Sequence, residues 1–107
     1  MRGDIHELPR PRDPVGHEQA APRFAVVIQS DDLELSTVIV APTSTKALDT
    51  SFRPAITVLG RRTAVLLEQM TAVDPARLGR QVGRVDPEDM RALDDAIRRV
   101  LAVDLPW

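Results

Sequence analysis

Two short clusters of polar residues in this 107-residue chain have the types and spacing that could act on a phosphate group. The first, residues 16–23 (GHEQAAPR), places Arg23 directly before an apolar run, and an arginine at the rim of a sheet can hold a phosphate and its developing charge. The second is Thr43-Ser44-Thr45-Lys46, three hydroxyls and a cation after the next apolar run. If the two runs form neighbouring strands, both clusters emerge at one end of the sheet. Spacing alone favours a solvated rim arginine for the first cluster, and composition alone favours an ordinary Ser/Thr turn for the second.

The sequence lacks the residues that several other kinds of active site require. Cysteine is absent, which excludes disulfides, zinc–thiolate sites and thiol nucleophiles. The chain also has no Gly-rich phosphate loop, no histidine pair at i,i+4 and no calcium-binding loop. Its two histidines, His6 and His17, could supply a base and an acid near neutral pH, but their spacing does not favour such a pair. The sequence therefore contains none of these common motifs for binding a metal or a phosphate-bearing cofactor.

Apolar runs separated by turn residues predict a sheet that would carry the two clusters. Strands are expected at residues 2–8, 24–29, 37–41, 55–59, 63–70 and 81–85, with one helical turn at 74–78. Pro42 is expected to stop the third strand, because proline lacks the backbone N–H of a ladder. Residues 9–22, which are charged and rich in proline, are expected to form one long loop, and loops of that length in small domains are usually functional or mobile.

The clearest single element is a C-terminal helix over residues 86–101. Asp86 is the expected N-cap, Pro87 follows at the first helical position, and Glu88 and Asp89 face the positive end of the helix dipole. One face of the helix is apolar, formed by Met90, Leu93, Ile97, Val100 and Leu101. Together with the strands, this helix predicts a mainly β fold in one domain over residues 1–107, a strongly bent antiparallel sheet or small barrel.

The charge and hydropathy of the chain limit which partners the protein can bind and in which cellular compartment it is expected. The formal net charge is −2, but residues 86–107 carry −3, so the rest of the chain is slightly positive. Thirteen of the fourteen basic residues are arginine, whose planar guanidinium grips phosphate through two donors. No apolar run approaches the roughly 20 residues that span a bilayer, and the N-terminus has no signal-peptide pattern, so we expect a cytoplasmic protein without a membrane partner.

The order of these segments resembles the MazF/PemK family of endoribonuclease toxins from type II toxin–antitoxin systems. Residues 2–5 (RGDI) resemble the family's opening strand, and residues 16–19 (GHEQ) followed by Arg23 resemble its signature segment. Residues 37–44 (TVIVAPTS) resemble the strand that ends at the second catalytic position. Residues 66–70 (LLEQM), followed by Val73, Asp74 and Leu78, resemble the segment that closes the RNA groove.

The resemblance implies roles for particular residues. Arg23 and Ser44 match the two catalytic positions, an arginine and a threonine, and Thr43 and Thr45 flank the second as alternative hydroxyls. The resemblance also implies that Thr43 and Thr45 contact RNA, as do Glu18, Gln19 and Gln69, with Glu18 as a candidate general base. Phe24 stands where the family usually has proline, and Thr71 stands where many members have a second arginine.

The fold and function implied by the resemblance are correspondingly specific. They are an SH3-like barrel of the plasmid-maintenance toxin or CcdB-like class, a homodimer, and metal-independent cleavage of single-stranded RNA to 2′,3′-cyclic phosphate and 5′-hydroxyl ends. Messenger RNA is the expected target, and a cognate antitoxin protein is the expected inhibitor. The alternative is a non-enzymatic CcdB-like toxin that binds a protein target such as DNA gyrase, for which the C-terminal Trp107 would be relevant.

Overall fold

The computed structural model describes residues 1–9, 23–47 and 50–104, and these contain seven strands, two 3-10 turns and one α-helix. The strands are β1 (Asp4–Leu8), β2 (Arg23–Val27), β3 (Val38–Ser44), β4 (Ala55–Val58), β5 (Arg61–Val65), β6 (Thr71–Val73) and β7 (Gln81–Arg84). The 3-10 turns are Leu67–Gln69 and Pro75–Arg77, and the helix is α1 (Pro87–Leu101). The predicted loop over residues 9–22 lies, beyond Pro9, outside the described residues.

The seven described strands form one antiparallel sheet that curls into a half-barrel. Its strand order is β4-β5-β3-β2-β1-β7, and β6 pairs with β3 beside this path. Strand β3 causes the curl, because it changes its neighbour along its length. Residues 38–40 pair with residues 71–73 of β6, whereas residues 43 and 44 pair with residues 65 and 64 of β5. The mainly β prediction with one C-terminal helix is confirmed.

The sheet packs an apolar layer on each face, as the alternation of side chains along a strand requires. The larger cluster lies between the sheet and α1 and includes Ile5, Val26, Ile56, Leu67 and Leu93, all nearly inaccessible to solvent. A smaller cluster on the other face consists of Leu8, Ala25, Val27 and Val40, with Val38, Val73 and Leu78 packed against it. The end of this smaller face is where the residues of the predicted site lie.

Helix α1 begins and ends as its sequence predicts. The side chain of Asp86 accepts a hydrogen bond from the backbone N–H of Asp89 at 2.8 Å, which satisfies one of the free donors of the first turn. The helix ends at Ala102, which adopts a left-handed conformation with φ of 57°. Two ion pairs fasten α1 to the sheet, Arg62 with Asp89 at 2.8 Å and Arg2 with Asp94 at 2.6 Å.

The Leu93→Ala variant is expected to be destabilised by about 2–5 kcal/mol, because truncating a fully buried leucine removes apolar contacts and leaves a cavity. Leu93 is 0% exposed at the contact between α1 and the larger cluster. Urea denaturation followed by circular dichroism measures this free energy. The matched change Leu101→Ala, at a residue that is 54% exposed, should cost far less. Equal losses in the two variants would contradict the packing of α1 described here.

Two boundaries differ from the sequence-based prediction for reasons of tertiary structure. Pro42 does not end β3, because it lies where β3 changes its neighbour from β6 to β5 and its carbonyl still accepts a hydrogen bond from Leu66 at 2.8 Å. The expected strand over residues 63–70 is divided instead: β5 ends at Val65, a 3-10 turn follows, and β6 begins at Thr71. In the part of the chain that the structure describes, no helix is long and apolar enough to cross a membrane.

Candidate active site

Arg23 and Ser44 lie at the same end of the β2–β3 pair, as the resemblance predicts for a common site. The register pairs Val27 with Val40 and Ala25 with Pro42. Extending this antiparallel register by two residues places Arg23 directly opposite Ser44. Residues opposite each other in such a pair point to the same face, with Cα atoms about 4.5–5.5 Å apart. A guanidinium and a hydroxyl on these two residues can therefore contact one phosphate.

Arg23 is the first residue of β2 and pairs with Leu8 at the end of β1. Its residue is half-buried, and its Nε is shielded from solvent. Arg23 also lines a cavity of about 360 Å³ at this end of the sheet. The other described residues of the cavity wall are Glu7, Leu8, Pro9, Phe24 and Gly79. The cavity is thus mostly apolar, with a cation and a carboxylate in its wall.

Ser44 is the last residue of β3, and its hydroxyl closes a short turn. The Oγ accepts hydrogen bonds from the backbone N–H groups of Lys46 at 3.1 Å and Ala47 at 3.2 Å. These two bonds occupy the acceptor capacity of the hydroxyl and leave its single O–H to donate. A hydroxyl that already accepts from two amides is polarised, which strengthens the bond that it donates. Ser44 is half-exposed and can donate to an anion at the sheet edge.

The two threonines that flank Ser44 face different environments. Thr43 is 2% exposed and its hydroxyl donates to the carbonyl of Phe24 at 3.1 Å. Its side chain therefore ties β3 to β2 inside the protein and has no free surface for RNA. Thr45 is exposed, in the bend after β3. The alternation of the strand thus selects Ser44 as the hydroxyl on the same face as Arg23.

The other residues predicted to contact RNA do not lie beside Arg23 and Ser44 in the described part of the chain. Gln69 is half-exposed in the 3-10 turn between β5 and β6, where the chain leaves Pro42 and rejoins β3 at Val40. It therefore lies beside the middle of β3 rather than at the end that carries Ser44. Glu18 and Gln19 lie outside the described residues. Their assignment to the RNA groove stays a prediction.

Arg53 and Arg62 are both engaged in ion pairs. Arg53 donates two hydrogen bonds to Glu68 Oε2, and its guanidinium stands 5.2 Å from the centre of the Phe52 ring. The hydrogen bond to Glu68 raises the pKa of Arg53 above its ordinary value, so this side chain stays charged. Arg62 bonds Asp89 of α1. Among the described residues, no group of three or more His, Asp or Glu side chains could hold a metal ion.

Glu7 was not anticipated as part of the site. The sequence shows it only as a polar residue within a strand, and its neighbours become clear once β1 pairs with β2 and β7. Glu7 lies opposite Phe24, one residue from Arg23's partner Leu8, and accepts a hydrogen bond from Arg80 at 3.3 Å. The sequence does show Glu7 as a polar residue in a strand. It does not show which strands pair with β1, and therefore which residues lie next to Glu7.

Comparison with known proteins connects this geometry to a family. The family model for the PemK-like, MazF-like toxin of type II toxin–antitoxin systems matches residues 1–101 of the chain. This chain belongs to that family. A Mycobacterium tuberculosis protein named as a toxin, Rv3098A, is 33% identical over 104 residues, which cover 96% of this chain and 98% of the relative.

Solved MazF-like structures share the fold of this MazF-like chain. An endoribonuclease in complex with its cognate antitoxin, from a mycobacterial species, superposes with a TM-score of 0.77 at 15% identity, over 100% of this chain and 97% of the other. The toxin MazF-mt6 of Mycobacterium tuberculosis gives 0.73 at 21% identity, over 97% and 99%. MazF of Deinococcus radiodurans gives 0.76 at 19%, over 95% and 96%.

Within this MazF-like fold, the two departures noted in the sequence occupy different places. Phe24 lies next to Arg23, lines the cavity and packs in part against the larger apolar cluster. Thr71 opens β6, opposite Val40, and is exposed. Phe24 is therefore an aromatic residue next to the candidate catalytic arginine. Thr71, which stands where many relatives have a second arginine, lies away from the end of the sheet that carries Arg23 and Ser44.

Proposed function

We propose that this MazF-like toxin is a sequence-specific endoribonuclease that cleaves single-stranded RNA, with messenger RNA as the main target, without a metal or cofactor. Cleavage leaves 2′,3′-cyclic phosphate and 5′-hydroxyl ends and inhibits translation in the cytoplasm. The chain acts as a homodimer and is neutralised by a cognate antitoxin. The names of the solved relatives support both the activity and the antitoxin, since one is an endoribonuclease held by its antitoxin.

The observation that carries this proposal is the β2–β3 register, which ends at the pair Ala25–Pro42 and, extended by two residues, brings Arg23 and Ser44 to the same end of the two strands. Arg23 is a permanent cation with several hydrogen-bond donors. The hydroxyl of Ser44 already accepts two hydrogen bonds, so it can only donate to a ligand. Both are half-exposed on one face of the sheet. Two donors that converge on a single oxyanion are the arrangement that stabilises charge in phosphoryl transfer.

The reaction is an attack of the RNA's own 2′-hydroxyl on the adjacent phosphorus. The new O2′–P bond forms as the P–O5′ bond breaks, the 2′-hydroxyl loses its proton to a base, and the leaving 5′-oxygen gains one. Arg23 donates hydrogen bonds to the non-bridging oxygens and to the leaving 5′-oxygen, which takes its proton from solvent, while Ser44 holds the phosphate. Glu18 is the candidate base. Holding the three atoms in line supplies much of the rate.

The antitoxin fits the same surface on physical grounds. A groove that binds the anionic backbone of RNA also attracts an acidic peptide, and disordered segments bind such surfaces by folding on contact. The antitoxin would then compete with RNA for the end of the sheet that carries Arg23. The Deinococcus radiodurans relative is known as a MazE–MazF complex, which supports a protein partner of this kind.

The purified chain is expected to cleave single-stranded RNA in a buffer with excess EDTA. The proposed donors are side chains of the protein, so chelation should leave the rate unchanged. Gel analysis of a labelled transcript measures the rate, and polynucleotide kinase labels the new 5′-hydroxyl ends without prior phosphatase treatment. Double-stranded RNA of the same sequence is the matched control and should stay intact.

RNA that remains intact while the same protein inhibits DNA gyrase would replace this proposal with the CcdB-like alternative. Cleavage that EDTA abolishes would contradict the metal-independent chemistry. The EDTA buffer, single-stranded transcript and gyrase assay therefore separate the two classes of toxin with a single preparation.

A further inference from the structure

We propose that the cavity beside Arg23 is a nucleobase subsite in which Glu7 accepts a hydrogen bond from an amino group of the base, so that cytosine is preferred to uracil. This inference rests on the proposed ribonuclease function, because it names the base next to the phosphate that Arg23 would hold. The base preference itself depends on Glu7, which plays no part in the proposed bond-breaking step.

The cavity has the size and lining that a single base requires. Its volume of about 360 Å³ lies at the lower end of the range of small-ligand sites. Leu8, Pro9 and Phe24 supply apolar walls, and Phe24 is the aromatic residue on which a base can stack. Arg23 also lines the cavity, at the first position of β2 and next to Phe24, so a base in it lies beside the residue that is proposed to hold the phosphate.

Glu7 enters the wall of the cavity through a close contact between β1 and the segment before β7. The backbone N–H of Gly79 donates to the carbonyl of Glu7 at 2.7 Å, and the N–H of Glu7 donates to Arg80 at 2.9 Å. A Cβ on residue 79 would lie 3.0 Å from the Cβ of Glu7, so glycine permits this approach. The two segments therefore hold the Glu7 backbone at a defined place in the wall.

Among the described residues, one oxygen of the Glu7 carboxylate has a hydrogen-bond partner. Its Oε1 accepts from Arg80 at 3.3 Å, whereas no hydrogen bond from a described residue reaches its Oε2. The Glu7 side chain is 47% exposed, so a ligand can reach it. A carboxylate near the phosphates of RNA repels them, which makes it unfavourable for non-specific binding. A base that donates a hydrogen bond to the Glu7 carboxylate offsets the repulsion between the carboxylate and the phosphates. A base that presents an acceptor to the carboxylate does not.

The choice between the pyrimidines follows from the chemistry of the carboxylate. An ionised carboxylate can only accept hydrogen bonds, and the N4 amino group of cytosine is a donor. Uracil has a carbonyl oxygen at that place, and its one N–H lies between two carbonyl oxygens. A site built around one acceptor rejects the base that lacks the matching donor, because the carboxylate would then face another acceptor. Arg80 donates to Oε1 of the Glu7 carboxylate, and Oε2 can then accept a hydrogen bond from the base.

The test uses short fluorescein-labelled oligodeoxycytidylate and oligodeoxyuridylate, which lack the 2′-hydroxyl that cleavage needs. Fluorescence anisotropy gives the dissociation constant of each with the wild-type protein and with Glu7→Gln. The wild type should bind the cytidine oligomer about tenfold more tightly. In Glu7→Gln the ratio should fall to within about twofold, since an amide donates to uracil as readily as it accepts from cytosine.

Glu34→Gln is the matched control. It removes the same charge from an exposed residue in the β2–β3 loop, at the far end of the hairpin from Arg23, and should keep the wild-type ratio. Because loss of any carboxylate strengthens binding to all nucleic acid, the ratio of the two constants is the readout, and circular dichroism checks the fold. Equal wild-type binding of both oligomers, or a preference that survives Glu7→Gln, overturns the subsite.

The cleavage assay reports separately on the proposed function. A cytidine preference that depends on Glu7, in a protein that leaves RNA intact, would support the subsite and reject the ribonuclease. Cleavage without such a preference would do the opposite. Each of the two proposals can therefore fail alone.

Discussion

The Arg23→Ala variant is expected to cleave RNA at least about 10³-fold more slowly than the wild type, while keeping its fold. Arg23 supplies a formal positive charge that the proposed mechanism directs at the phosphate. Alanine leaves the charge that develops on the phosphoryl oxygens without a partner. The residue lies at the first position of β2, so few apolar contacts are lost. Single-turnover cleavage of a labelled oligonucleotide measures the change in the chemical step.

Arg91→Ala is the matched control, since Arg91 is exposed on α1 and its loss removes the same charge from the protein. It should cleave at the wild-type rate. Arg23→Lys, which keeps the charge but loses the planar fork of donors, should fall between the two. Wild-type cleavage by Arg23→Ala would remove this residue from the mechanism, and with it the assignment of the site to the end of the β2–β3 pair.

Replacing Ser44 by alanine is expected to lower the rate of cleavage about 10²-fold, the usual cost of losing one donor to a developing oxyanion. The hydroxyl also accepts from the N–H groups of Lys46 and Ala47, so alanine releases the turn after β3 as well. Two unsatisfied N–H groups at an exposed turn can bond to water, and the loss of stability should stay near 1 kcal/mol. Cleavage kinetics and a denaturation curve separate these two effects.

Ser44→Thr keeps the hydroxyl and should retain most of the activity, which distinguishes the lost donor from a disturbed strand end. Ser36→Ala, at an exposed serine of the β2–β3 loop, provides the control for the substitution itself. A Ser44→Ala protein that cleaves as fast as the wild type would show that the hydroxyl does not bind the phosphate. Equal losses in Ser44→Ala and Ser44→Thr would point to the geometry of the turn instead.

Much of the local structure could be predicted from the sequence because its signals act over a few residues. The cap at Asp86 and the apolar face of α1 lie within single turns of the chain, and the helix follows them closely. The continuous apolar runs likewise indicate β2, β3 and β4. The strand expected over residues 63–70 could not be placed correctly, because its division depends on where β3 exchanges one neighbour for another.

In the candidate site too, residue types could be predicted from the sequence, whereas contacts between distant segments could not. Arg23 and the hydroxyl cluster could be selected from residue types and from the family resemblance. The resemblance already assigned Ser44 among three neighbouring hydroxyls, and the alternation of β3, which turns Thr43 inward to the carbonyl of Phe24, removes one of the two alternatives. Glu7 could not be found, since its place in the cavity depends on the approach of Gly79, and nothing near it in the sequence indicates that contact.

By itself the sequence determined where the helix and most of the strands lie, which residue types are available, and which family they resemble. Only the tertiary structure decided that residues 23 and 44 lie at the same end of two paired strands, that Thr43 is buried, and that a carboxylate shares the cavity of Arg23. The physical reason is range. Backbone preferences and caps depend on adjacent residues, whereas strand register depends on contacts between segments far apart in the chain, such as His6 with Gly79.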